Sequence, residues 1–111
     1  MAFHHRESGN VTVIDLNGTL DIYTATDLKT LIDALSSNGK VNFIINMDKL
    51  SYIDSSGIGM LIKLMNQTKE KKGKFFLTKM KPPLEKVFKV AGLSSYFQFI
   101  GEKEFAEQYP N

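Results

Sequence analysis

The feature that most limits what this chain can fold into is a short, nearly continuous apolar run, Val41-Asn42-Phe43-Ile44-Ile45, set between two stretches of helical periodicity. A strand that is apolar on both sides belongs inside a sheet covered on both faces, as in parallel α/β proteins. Before it, Leu28, Leu31, Ile32 and Leu35 follow the i, i+3, i+4, i+7 rule. That helix is expected to begin at Thr24, with Asp27 three residues on resembling a capping box, and to stop before Gly39. After the run, Ile58, Leu61, Ile62 and Met65 repeat the helical spacing, in a helix ended by Gly73.

The alternation extends in both directions. Ala2 to Glu7 and Val11 to Leu16 flank the turn-rich Ser8-Gly9-Asn10, which predicts an opening β-hairpin. Phe75-Phe76-Leu77 is the next strand. Pro82-Pro83 then open a helix with Leu84, Val87, Phe88 and Ala91 as its buried stripe and Gly92 as its stop. Tyr96 to Ile100 is a last strand, and Glu102 to Tyr109 a closing helix. The expected fold is α/β: one sheet of about five strands, parallel except for the hairpin strand, with about four helices. With no linker or repeat, residues 1–111 are expected to form a single domain.

Charge and composition remove several functions. Fourteen Lys and Arg against twelve Asp and Glu give a net charge of +2, too weak a balance to imply nucleic acid. The densest basic cluster, Lys69 to Lys74, is interrupted by Glu70 and reads as a solvated helix end. No apolar run approaches the ~20 residues that cross a bilayer, and His4, His5, Arg6 and Glu7 interrupt any secretory signal. Together with the lack of cysteine, this fits a cytoplasmic protein without disulfides.

The stretch with chemical content is Tyr52-Ile53-Asp54-Ser55-Ser56-Gly57-Ile58-Gly59-Met60. It places two hydroxyls where a helix begins, and unpaired backbone N–H groups with the positive end of the helix dipole favour a phosphate there. One serine would suffice as an N-cap. The second hydroxyl, a Gly57 that leaves room for an approaching surface, and Met60 on the outward side of the helix point instead to a contact site. Ser56, beside Gly57, is the less crowded hydroxyl; Ser55 is better placed to cap or brace the helix, and Asp54 to accept hydrogen bonds ahead of it.

Catalytic readings fare worse. His4 and His5 are adjacent in an edge strand and point to opposite faces, so they form neither a metal pair nor a base for Ser56. Asp54 occupies the first glycine position of a nucleophile elbow and no histidine follows it, which removes a serine hydrolase. Gly57-Ile58-Gly59 carries Ile62 at the third position of a dinucleotide fingerprint. A phosphoaspartate receiver would use Asp54, with Lys81-Pro82 as its lysine–proline pair. It would need paired acids after its first strand, and Asp15-Leu16-Asn17 supplies one. No cofactor or metal is expected.

These residues resemble the STAS domains, named for sulfate transporters and anti-sigma factor antagonists, and in particular the stand-alone bacterial antagonists. Gly18-Thr19-Leu20-Asp21 with the helix after it is similar to the family's first signature, and Tyr52 to Gly59 to its second. Lys81 to Leu84 through Val90 to Leu93 resembles the segment around its third helix. The resemblance implies a STAS-like sandwich and a non-enzymatic partner switch that controls sigma-factor-dependent transcription. Ser56, with Ser55 as the alternative, would be phosphorylated by a serine/threonine kinase that doubles as the anti-sigma factor, and a serine phosphatase would reverse it. The implied contact surface comprises Asp21, which matches the family's loop aspartate, with Tyr23, Asp54, Ser55, Ser56, Gly57, Gly59, Met60 and Lys63. Neither nucleic acid nor membrane is an expected direct partner. Asn46 stands where many members carry aspartate at a strand end. The alternatives are a STAS module that scaffolds a signalling assembly and the receiver-like domain.

Overall fold

The structure is a computed structural model that describes residues 3–110. Its framework is one five-stranded sheet in the order β1-β2-β3-β4-β5. Strand β1 (His4–Ser8) turns through Gly9-Asn10 into β2 (Val11–Leu20), and the two pair antiparallel, with His4 opposite Asp15. The later strands, β3 (Asn42–Ile53), β4 (Lys74–Thr78) and β5 (Gln98–Ile100), each pair parallel with the strand before. Helices α1 (Ile22–Ser37), α2 (Ser55–Glu70) and α3 (Pro82–Val90) are the crossovers, and α4 (Glu102–Gln108) follows β5. This is the expected mixed sheet with its opening hairpin; Ala2 of the expected first strand lies outside the described residues.

The period-2 alternation of the strands divides the apolar residues between two unequal cores. On the larger side, Leu16, Phe43, Ile45 and Leu77 pack with Leu28 of α1, Leu61 of α2 and Phe88 of α3. On the other, Val13, Ile44 and Ile100 meet Phe105 of α4. Strand β3 is therefore apolar on both sides only where both cores reach it, over Phe43-Ile44-Ile45. The strand itself runs on to Ile53, well past the apolar run. Its second half pairs with β2 alone, and register shifts between Asp15 and Asn17 and between Gly18 and Thr19 break the alternation, so that Met47, Leu50 and Ile53 are buried at every third residue.

Three helical expectations shift. The first helix starts at Ile22, ahead of Thr24: Asp21 is the N-cap and Thr24 completes a capping box with it, a role assigned in sequence to Thr24 and Asp27. In α3 only Leu84 and Phe88 are buried, while Val87 and Ala91 are exposed, because this nine-residue helix meets the core along one i, i+4 pair. In α2 the buried stripe is Gly57, Leu61, Leu64, Met65 and Thr68. Ile58 and Ile62, expected at its centre, are half-buried on the flank. Glycine and threonine carry no apolar signal, so periodicity placed the stripe's centre about two-thirds of a residue step away. Tyr96 stays outside the last strand, which begins at Gln98.

Asn46 lies within β3. Its amide nitrogen donates to Asp15 Oδ1 at 2.8 Å, and its Oδ1 accepts the Asp48 N–H at 3.1 Å. A carboxylate at this position would face Asp15 with like charge.

Candidate functional site

Leu20 and Ile53 end β2 and β3 and are partners in register, so the two following helices begin side by side at the carboxyl edge of the sheet. The Asp54 N–H donates to the Leu20 carbonyl at 3.3 Å, which ties one helix start to the other. Each start has its own carboxylate. Asp21 Oδ1 accepts the N–H groups of Tyr23 and Thr24 at 3.0 and 3.1 Å, and its own N–H donates to Thr24 Oγ1 at 2.9 Å. The Thr24 hydroxyl in turn donates to the Thr19 carbonyl at 2.8 Å. The Thr24 backbone N–H, ahead of the Thr24 hydroxyl and the Tyr23 N–H, holds the Asp21 carboxyl below the usual aspartate range against some desolvation. Asp54 Oδ1 accepts the Gly57 N–H at 2.9 Å, and its carbonyl accepts the Ile58 N–H at 3.0 Å.

Asp54 is thus the N-cap of α2, and the capping role expected of Ser55 is taken from it. Both serines occupy the first turn with exposed side chains. Gly59 and Lys63, three and seven residues beyond Ser56, lie on the same face and are exposed too. Two sequence-based assignments change. Gly57 is buried, and its bare side faces inward: a Cβ there would stand 2.4 Å from the Leu20 carbonyl oxygen and 2.8 Å from Ile53 Cγ1. It is a packing glycine that lets α2 approach β2, with no surface to offer a partner. Met60 is half-buried against the main core, so it only partly faces outward.

The apolar part of the site is larger than the sequence suggested. Tyr23 is 79% exposed, its chain neighbour Ile22 60%, and Tyr52, the last residue but one of β3, 56%. Ile22 fell outside the expected helix once its start was placed at Thr24. Tyr52 belongs to the half of β3 beyond the apolar run, and the signal for it was an aromatic next to the buried Ile53. The site therefore combines an exposed hydroxyl on a helix N-terminus, two capping carboxylates, one lysine and three large apolar side chains. Single exposed apolar residues are common; here three occur within a few residues of two adjoining helix starts. His4 and His5 are both exposed on edge strand β1, as expected, and no set of three or more His, Asp or Glu side chains gathers as metal ligands among the described residues.

Three comparisons with known proteins agree on one family. A family model for the STAS domain matches residues 3–106. The chain is 32% identical over 93 residues to an anti-sigma F factor antagonist of Lysinibacillus sphaericus, covering 83% of this chain and 80% of that protein. Its fold superposes on the anti-sigma factor antagonist SpoIIAA in its unphosphorylated form, with a TM-score of 0.79, 28% identity and coverage of 96% and 94%. The Bacillus cell fate determinant SpoIIAA in the phosphorylated form superposes with a TM-score of 0.73 at the same identity, covering 96% and 97%.

Proposed function

The chain belongs to the STAS domain family, among the anti-sigma factor antagonists, and we propose that Ser56 is the switch through which it acts. In the unmodified state the surface of Tyr23, Ser56, Gly59, Met60 and Lys63, widened by Ile22 and Tyr52, docks an anti-sigma factor that is also a serine kinase. Docking withdraws that factor from its sigma factor. Transfer of a phosphoryl group to Ser56 ends the contact, and a serine phosphatase restores it. In this reading the protein is a regulator and a phosphorylation substrate, and the chemistry is performed by its partners. It works as a single domain in the cytoplasm.

The observation that carries the reading is the exposure of Ser56 in the first turn of α2, at the sheet edge where α1 also begins, with exposed Ile22 and Tyr23 in its own first turn. An apolar surface is desolvated on docking, and a phosphoserine brings a charge of roughly −1.5 to −2 into it. The helix dipole offsets that only by ~0.3–1 kcal/mol at an exposed site, and Asp54 already occupies the Gly57 N–H. Asp21 and Asp54 add like charge at both helix starts. Asp21 and Asp54 are assigned the role of shaping this surface through their caps, and Gly57 that of seating it. The existence of SpoIIAA in unphosphorylated and phosphorylated forms with one fold supports a switch of this kind.

The test is incubation with the cognate kinase and ATP, followed by mass spectrometry and a binding assay. One phosphate is expected on Ser56, none on Ser55 or Asp54, together with a loss of kinase binding. Modification of Ser56→Ala at the wild-type rate, or full binding by the phosphorylated protein, would refute the assignment.

A further inference from the structure

Strands β4 and β5 pair in parallel, and their last residues, Thr78 and Ile100, stand opposite each other at the carboxyl edge of the sheet. From there the chain parts to opposite faces. After β4 it enters α3, whose Leu84 and Phe88 join the main core; after β5 it enters α4, whose Phe105 joins the other. Open α/β sheets receive ligands in the crevice between such diverging connections, outside the carboxyl ends of parallel strands. A groove of about 930 Å3 lies at this point, lined by residues of both strand ends, of α3 and of the start of α4. Small-molecule sites span ~300–1,000 Å3. The backbone is strained here as well. Lys79, which follows Thr78 in the lining, has φ +57° and is one of two described non-glycine residues in the left-handed region, and backbone held in such conformations collects at functional sites.

Met80, Phe88, Val90, Phe99 and Ile100 give the groove an apolar wall, in which Val90 is 80% and Phe99 44% exposed. Thr78 adds no free hydroxyl proton, because its Oγ1 already donates to the Ile100 carbonyl at 2.8 Å. Of the lysines in the lining, Lys79 holds its Nζ over the Phe105 ring, 5.4 Å from the centroid. That leaves Lys86 and Lys89 against Glu85 and Glu102, two charges of each sign. An ion of either sign would meet like charge as well as opposite charge, and would be desolvated by the apolar wall. We infer that the groove binds an uncharged small molecule with a ring-bearing apolar body and one hydroxyl or carbonyl group. The body lies against Phe99 and Val90, and the polar group bonds to a charged side chain of the rim. A stable protein interface takes about 800 Å2 from each partner, more than the wall of this groove offers. The site is separate from Ser56, since no residue of α1 or α2 lines it.

NMR titration of the full chain with three molecules of one shape, naphthol, naphthoate and naphthylmethylammonium, tests this at neutral pH. Naphthol is expected to give saturable shifts in the amides of Lys79, Met80, Val90 and Phe99, and to bind several-fold tighter than either ion. Phe99→Thr removes the ring and keeps a good strand former. It should weaken naphthol binding roughly tenfold, with the amides of β2 and β3 unmoved. Val90→Ser, at the most exposed position of the wall, should weaken binding without touching the sheet, and Ser56→Asp should bind as the wild type does. Shifts that do not saturate, shifts centred on Ile22, Tyr23 and Tyr52, equal or tighter binding of either ion, or full affinity in both groove variants would overturn the inference.

Discussion

Two glycines in one helical turn have opposite duties. Gly57 abuts the Leu20 carbonyl, whereas a Cβ on Gly59 meets nothing within 4 Å. Gly57→Ala must push α2 away from β2 or distort the end of β2, and overpacking of this kind costs about 1–3 kcal/mol. Gly59→Ala, at an exposed position in the helix, should stabilise by about 0.5–1 kcal/mol through helix propensity. Chemical denaturation of the two variants gives the comparison, and a stable Gly57→Ala protein would mean that the helix does not sit this close to the sheet. Sequence alone marked both residues as site glycines, because spacing along a motif cannot tell which side of a helix start faces the sheet. It did identify Ser56 and the approach through Asp54. What it misjudged was the capping atom: both Asp and Ser are good N-caps, and the choice depends on backbone conformation at one residue. Asp54 has the extended conformation that a cap needs, with φ −110° and ψ −176°.

At the scale of elements, the packing of α2 decides how Met60 and Leu61 differ. Leu61 is fully buried, and Leu61→Ala should cost ~2–5 kcal/mol through a core cavity. Met60 is half-buried, so Met60→Ala should cost measurably less while weakening partner binding; equal losses of thermal stability would place Met60 in the core. The pair α1–α2 is also clasped from outside. Asp33 Oδ2 accepts from Lys29 Nζ at 2.7 Å within α1, and Oδ1 accepts the Gln67 amide of α2 at 2.9 Å. Lys29 first, then Gln67, hold the Asp33 carboxyl below the ordinary 3.8. The unfolded chain therefore takes up this proton first on acidification. The clasp contributes fully above pH 3.8 and is lost as pH falls through the lower folded value. With the Asp33 side chain 44% exposed, the effect is screened and worth at most about 1 kcal/mol. Asp33→Asn should flatten the stability–pH curve there, with a residual slope of the same sign from Asp21; an unchanged curve would show that the clasp carries no energy. The strands and helices were legible because period 2 and period 3.6 are written in apolar residues. The phase of α2 was not, since Gly57 and Thr68 are buried by close backbone approach and by packing, and neither is apolar enough to be counted. The second half of β3 was hidden for a related reason: its bulged pairing with β2 buries every third residue, a spacing that matches neither template.

For the whole molecule, the question is whether a charge at Ser56 acts through the fold or at the surface. The central strands β2, β3 and β4 bury their side chains in both cores, with Val13, Ile14, Phe43, Ile44, Ile45 and Leu77 at 1% exposure or less. Ser56 lies outside that framework, in a turn whose anchor is the Asp54 cap and the close contact of Gly57. A phosphate there gains ~0.3–1 kcal/mol from the helix start, and the like charge of the capping Asp54 opposes that gain. We expect phosphorylation of Ser56 to change the unfolding free energy by less than about 1 kcal/mol, the scale of that dipole contribution. Amide exchange in Val13 to Leu16, Phe43 to Met47 and Phe75 to Thr78 should stay as slow as in the unmodified protein, because those amides open only on global unfolding. Partner binding, in contrast, should fall by far more than the stability does. Hydrogen exchange and a binding assay on the same phosphorylated sample separate the cases. Lost protection in the central strands would place the switch in a conformational change, and an electrostatic mechanism at the surface would be ruled out.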